Sequence, residues 1–433
     1  LAGVEAVALR TPEDEAQAHA RVRRLLKKTL TADDAVRIAL LNNRELQAAY
    51  NALGLSEAEM VEASLPPNPR FSIERIAGAG SVEVEARAVA NILALLTLPA
   101  RADIARDRFA QAQHEAANAT LRIAAEARSA YYRAVAARSL AGFLAQSQDA
   151  ANAAAKLSQR LGEAGNISKL DQARNQVFYA ELSAQLATAR QRENSERERL
   201  VRALGLWGGD IAFRLPASLP KLPTRAASLP GVEREAVERR LDLQIARLEI
   251  EALAKTYSLT QGTRALDGLE VAGITKTTKE NGDKIRERGF EAEIEIPLFD
   301  FGEVKNRKAE QKYLQAVNRL AAKAVNVRSE ARDAYRIYRS SYDIARHYQS
   351  EVLPLRKIIS DETLLRYNAM QIDVFALLEE ARRRIASTSA AIEAERDFFI
   401  AQTNLGAAIV GGGSAATPES TQTASAPDSG GGH

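Results

Sequence analysis

Glu126-Ala127-Arg128-Ser129-Ala130-Tyr131 recurs as Glu330-Ala331-Arg332-Asp333-Ala334-Tyr335. One six-residue echo would be noise, but others accompany it. Upstream, Glu45-Leu46-Gln47-Ala48 is answered by Asp242-Leu243-Gln244-Ile245, and Leu98-Pro99 by Ile296-Pro297, in the same order in both halves. Ordered echoes at a nearly constant spacing mark an internal duplication, and a duplication fixes the architecture before any single element is read. Each half reads helix, two strands, long helix, tight turn, helix.

Outward from the repeated hexapeptide, the chain runs from Pro99 to Gly162 without a second proline, and helix formers predominate. At 1.5 Å per residue this stretch would reach ~90–95 Å, far beyond the usual helix of a compact domain. Its seam reads Ala112, Ala116, Ala119, Ile123, Ala127, Ala130, Ala134, Ala137, Ala141 and Leu144. The alternating steps of three and four are the heptad pattern of helices wound around neighbours. The second half repeats it with Val317, Leu320, Ala324, Val327, Ala331, Ala334, Tyr338, Ser341 and Ala345. Alanine lets helix backbones approach closely, which suits a wall of packed helices and an antiparallel coiled coil equally.

The first half opens with a helix capped at Thr31, with Asp33 and Asp34 in its first turn, running to Pro66-Pro67. Its counterpart spans Glu233 to Leu259. Between this helix and the long one lies a segment of period two. Phe71-Ser72-Ile73-Glu74 leads through Gly78-Ala79-Gly80 to Val82, Val84, Ala86 and Ala88, which alternate with Glu83, Glu85 and Arg87. In the second half Leu269 and Val271 precede a polar turn, Lys276 to Arg288. Then Phe290, Ala292, Ile294 and Ile296 alternate with Glu291, Glu293 and Glu295. Four strands cannot close a barrel in one chain, since about eight are needed. Either they form a soluble sheet with one wet face, or several chains pool them, apolar side to lipid and glutamates to a watery lumen.

Of the 433 residues, 59 are basic and 56 acidic, so no surplus exists to hold a phosphate backbone and nucleic acid is not an expected partner. Cysteine is absent, which excludes disulfides and thiolate metal sites. His19, His114, His347 and His433 are scattered, with no His-Glu-x-x-His pair, and neither a phosphate-binding glycine loop nor a Gly-x-Ser-x-Gly elbow occurs. No enzyme activity, catalytic residue, metal or cofactor is therefore expected. No run of eighteen apolar residues appears, which rules out a transmembrane helix but not strands that span lipid by alternation.

Element order and local motifs resemble the outer-membrane efflux protein family, the TolC-like channels. The matching residues are Leu30-Thr31, Ala35, Ala39-Leu40, Asn42-Asn43 and Leu46 in the first helix, and Pro67-Asn68-Pro69 before the first strand. The most specific is Ile296-Pro297-Leu298-Phe299-Asp300-Phe301-Gly302, with Leu93 to Pro99 as its counterpart; Leu204-Gly205-Leu206-Trp207 also fits. The resemblance implies a mainly α fold with a small β part, in which long antiparallel helices of a homotrimer form a periplasmic tunnel and four strands per chain build a shared twelve-stranded barrel. It further implies an outer-membrane location, a periplasmic adaptor (membrane fusion) protein and an inner-membrane pump of RND or ABC type. The alternative is a soluble coiled-coil scaffold or adaptor without a pore.

Adaptor contact in such proteins lies at the helix turns furthest from the membrane. Here these are Arg160, Leu161, Gly165, Ile167 and Ser168 in one turn, and Arg366, Tyr367, Gln371 and Ile372 in the other. Gly165 suits a sharp turn at positive φ, whereas Gln371 departs from the glycine pattern and predicts a differently built second turn. Glu83, Glu85, Glu291, Glu293 and Glu295 would line the lumen. Asp361, Glu362, Arg366 and Asp373 are candidates for the closed periplasmic aperture.

The expected organisation is an N-terminal extension (1–29), a first repeat (30–206), a connector carrying Pro216, Pro220, Pro223 and Pro230 (207–231), a second repeat (232–410) and a disordered tail (411–433). Leu1-Ala2-Gly3 resembles the residues before a lipoprotein acylation cysteine, with Val4 where that cysteine would stand. Two readings stay open, a native N-terminus that is acylated there and a coincidence of three small residues.

Overall fold

A computed structural model describes Leu9 and residues 11–78, 81–266, 268–280 and 283–412. The acylation motif at 1–4, the turn residues 79–80 and the tail beyond 412 lie outside the described residues.

The expected extension contains a helix, α1 (Pro12–Leu26), started by a reciprocal Thr11–Asp14 capping box, with Ala18 and Val22 buried in the main core. Thr31 caps the next helix as anticipated, its side chain accepting from the Asp34 N–H at 3.1 Å. That helix, however, is two. α2 (Ala32–Asn42) stops where Asn43 turns extended, and the Asn43 side chain accepts from the N–H groups of Glu45 and Leu46 to begin α3 (Arg44–Ser64). Asn favours such a cap over a helix interior because its side chain competes for backbone donors. The second half repeats the break at Arg240, between α7 (Val232–Arg239) and α8 (Leu241–Gly262).

Strands β1 (Arg70–Gly78) and β2 (Ser81–Asn91) lead through the short α4 (Ile92–Leu96) into α5 (Leu98–Glu163), 66 residues long, and back along α6 (Lys169–Leu204). The second repeat has β3 (Gly268–Glu280), β4 (Asp283–Glu295), α9 (Glu303–His347), a π turn (Tyr348–Val352), α10 (Leu353–Asn368) and α11 (Val374–Val410). The polar stretch from Lys276 to Arg288 is therefore not a turn: apart from 281–282 it lies in strand. Its charged residues alternate as regularly as the apolar ones that follow, and polarity alone does not end a strand whose one face is wet.

The π turn accounts for a small irregularity in the duplication. Ala127 and Ala141 correspond to Ala331 and Ala345, but beyond the π turn Leu161 corresponds to Arg366, so the spacing has grown by one residue. A single inserted residue would rotate everything downstream off the seam; a π turn absorbs it.

The alanine seam is buried along α5 from Ala116 and Ile123 through Ala141 and Leu144, with Ala112 and Ala119 partly covered. On α9, Val327, Ala331, Tyr338 and Ala345 are buried as read, but Val317 is exposed and Ala316 takes its place inside. Phe398 of α11 packs against the Tyr338 and Tyr342 rings at 5.7 and 5.6 Å. The connector is strapped on, not loose: the Tyr342 hydroxyl donates to the carbonyls of Pro223 and Thr224, and Ala227 N–H donates to Tyr338.

Candidate membrane sheet and helix tips

The four strands form one antiparallel sheet in the order β1-β2-β3-β4, so that β2 and β3 join the two repeats. Directly paired residues share a face and neighbours along a strand alternate. The register then places Glu83, Glu85, Glu291, Glu293 and Glu295 on a single face, as the alternation predicted. Glu74, Glu270, Glu280, Asp283 and Glu287 join them, against three cations: Arg70, Arg87 and Lys276. Each of these cations is paired. Lys276 lies 2.5 Å from Glu83, Arg87 lies 2.5 Å from Glu291, and Arg70 pairs with Glu270. The counter-cations and the extra acids escape a search for glutamates alone; the period-two reading, carried on through Lys276 to Arg288, finds them.

The opposite face is apolar over the part nearest the helices and open to solvent in the isolated chain. Phe71, Ile73 and Phe290 are 76%, 78% and 86% exposed, and Val84, Ala86, Ala88, Val271, Ala292 and Ile294 share the face. Below it, at the junction to the helices, Leu96, Leu298, Phe299 and Phe301 are exposed as well. No described helix is long and apolar enough to cross a membrane. The sheet leaves one edge of β1 and one of β4 without a strand partner.

The junction is tightly determined. Asp300 accepts from the Gly302 N–H, Phe301 and Gly302 both adopt positive φ (48° and 73°), and a Cβ on Gly302 would stand 2.2 Å from the Arg264 carbonyl oxygen. Only glycine fits where the strand turns into α9.

At the other end both helix turns are built alike. Gly165 (φ 73°) sits in a turn closed by Asn166 N–H to Leu161 O and Gly165 N–H to Gly162 O, with Ser168 capping α6. Met370 (φ 56°) sits in the same turn, closed by Gln371 N–H to Arg366 O and Met370 N–H to Tyr367 O, with Asp373 capping α11. The residue answering Gly165 is thus Met370, not Gln371, and the expected difference between the turns is absent. Main-chain bonds hold the left-handed residue in place at a cost of ~1–2 kcal/mol for a side chain with a Cβ.

Of the aperture candidates, Glu362 and Arg366 pair at 3.1 Å, one helical turn apart and exposed, and Asp373 is engaged as the α11 cap. Asp361 is exposed and is not brought to Arg366. Sequence reading missed a more buried pair on the same helices: Arg356 reaches Glu380 at 3.2 Å, and Glu380 is 7% exposed.

No family model and no curated protein matches the sequence. Solved structures do. The outer membrane channel CmeC of Campylobacter jejuni superimposes with a TM-score of 0.75 at 14% identity, covering 88% of this chain and 86% of that one. A membrane protein from Pseudomonas aeruginosa gives 0.75 at 18%, covering 90% and 93%. The open-state MtrE outer membrane channel of Neisseria gonorrhoeae gives 0.71 at 14%, covering 88% and 89%. At such identities the likeness concerns architecture: this chain has, along nearly its whole length, the fold of TolC-like outer-membrane efflux channels.

Proposed function

We propose that the chain is the channel subunit of an outer-membrane efflux system, a passive export conduit from periplasm to exterior that performs no chemistry of its own. The carrying observation is the sheet: both edges unpaired, one face apolar and exposed, the other acidic. In lipid an open edge leaves backbone donors and acceptors unsatisfied at several kcal/mol each, so such a sheet is stable there only when copies close it. Three copies supply twelve strands, with the glutamate face around a water-filled lumen. An unpartnered ridge on the second-repeat helices supports the same assembly. Ile337 and Ile344, then Ile358 and Leu365, recur at heptad spacing and are half or more exposed, a seam awaiting a neighbouring copy.

In this reading the turns with Arg160, Leu161, Gly165, Ile167 and Ser168, and with Arg366, Tyr367, Gln371 and Ile372, dock a periplasmic adaptor and through it an inner-membrane pump of RND or ABC type. Asp361, Glu362, Arg366 and Asp373 stand at the periplasmic aperture. Acidic rings of Glu291, Glu293 and Glu295 favour cations in the lumen. The test is reconstitution. Purified protein is expected to run as a heat-resistant trimer in detergent and to conduct in a planar bilayer; a monomer that stays in solution without detergent and never conducts returns the chain to the scaffold reading.

A further inference from the structure

The apolar face of the sheet does not remain apolar to its far end. Three rows across the strands, counted away from the helices beyond the Phe71–Ala88–Gly273–Phe290 row, read Ile73–Ala86–Thr275–Arg288, then Arg75–Val84–Thr277–Arg286, then Ala77–Val82–Lys279–Lys284. Each row carries a cation on the face that would meet lipid. Five side chains are involved: Arg75, Lys279, Lys284, Arg286 and Arg288. Their contrast with the acidic face decides the matter. There Arg70, Arg87 and Lys276 each pair with a glutamate, whereas among the described residues no ion pair or hydrogen bond engages any of these five.

Unpaired cations at the middle of a membrane would be costly, but these lie at one end. From Phe290 to Arg286 the strand advances roughly 14 Å, which lifts the charges from the aromatic row to the level of headgroups. The helices leave the opposite end of the sheet, so this end is the one at the outer leaflet. β1 and β4 are the open edges, and closure by copies would set Arg75 of one beside the β4 cations of the next. Arg and Lys gathered at headgroup depth, with no carboxylate on their own face among the described residues, match phosphate oxygens.

We propose that this band binds phosphate groups of outer-leaflet lipids, which then seal the barrel's outer rim. The proposal rests on the channel reading above. It is tested with the detergent-purified full chain, titrated with fluorescent bis-phosphorylated lipid A, with the same lipid freed of phosphate, and with inorganic phosphate as competitor. The phosphorylated lipid is expected to bind roughly tenfold or more tightly than the dephosphorylated one. That preference is expected to vanish in Lys284→Gln/Arg286→Gln/Arg288→Gln, survive in Lys279→Arg/Lys284→Arg, and survive in Arg87→Gln on the opposite face. Equal binding of the two lipids, an unchanged preference in the triple variant, or full competition by millimolar inorganic phosphate would each overturn it. Bilayer conductance is recorded in parallel: conductance without phosphate preference refutes the band alone, while absence of both refutes the channel reading itself.

Discussion

Arg128 on α5 pairs with Asp33 at the start of α2 at 2.5 Å, and Arg332 on α9 makes the equivalent pair with Glu233 at the start of α7, at 2.9 Å. The hexapeptide that betrays the duplication thus performs one task twice, fastening the short helices to the long ones. Its tyrosines do likewise: Tyr131 donates to the Leu30 carbonyl, and Tyr335 accepts from the Leu229 N–H. The Asp33 side chain is largely exposed and that of Glu233 partly so, so Arg128→Ala and Arg332→Ala are each expected to cost no more than ~1 kcal/mol. The adjoining Ala127 and Ala331 are fully buried, and Ala127→Leu or Ala331→Leu is expected to cost ~1–3 kcal/mol by overpacking the seam. Thermal unfolding in detergent measures both; an arginine variant falling further than its leucine neighbour would refute the ranking.

The strand-to-helix junction makes a sharper prediction. Gly302→Ala forces a Cβ into the Arg264 carbonyl at positive φ, so it is expected to weaken the junction by more than ~1 kcal/mol. Gly289→Ala, where nothing lies within 4 Å, serves as the control. Limited proteolysis should cut the Gly302 variant near 296–302 well before the control. Equal resistance would show that the backbone there can yield.

The π turn predicts an asymmetry between deletions. Removing Ser350 lets Tyr348–Val352 revert to ordinary helix with the downstream seam in phase, so the variant should melt close to the parent. Removing Ser139 from uninterrupted α5 throws Ala141 and Leu144 off the seam and should abolish folding. Circular dichroism melts of the two variants decide, and comparable loss in both would mean that the π turn is not an absorbed insertion.

Asp34 supplies a pH dependence. Burial pushes its carboxyl up, but hydrogen bonds from Thr31, and Lys28 at 3.3 Å, outweigh that and hold it below the usual carboxylate range. A depressed folded value means that its stabilisation is present above the unfolded value, near ~3.9, and is lost as pH falls through the folded one. Asp34→Asn should therefore melt below the parent at neutral pH, with the gap closing under acid below about pH 4. A gap that widens on acidification would reverse the sign.

The duplication, the long helices, the Thr31 cap and the facing of the five glutamates were all legible, because each writes a period or a cap into consecutive residues. What stayed hidden shares a different cause. The Asn43 and Arg240 breaks lie inside helical periodicity: Asn43 competes for backbone donors, while Arg240, which caps no backbone group, is held by ion pairs to Asp242 and Glu330. The Lys276–Arg288 strands carry charge where strands are expected to carry apolar groups. Met370 occupies a glycine-type turn because main-chain bonds from both flanks impose it. Whether copies close the sheet depends on surfaces that no single chain covers.

Closure can be read directly, since the chain has no cysteine of its own. Ser72→Cys on β1 is combined in turn with cysteine at Glu287, Gly289, Glu291 or Glu293 of β4, all on the acidic face. Within one chain the two edges are separated by three strand spacings, roughly 14 Å, too far for a disulfide. Oxidation of the membrane-inserted protein is expected to give, for at least one pairing, a covalent ladder that ends at three chains. Monomer at every pairing, or a ladder running on past three, would contradict the barrel.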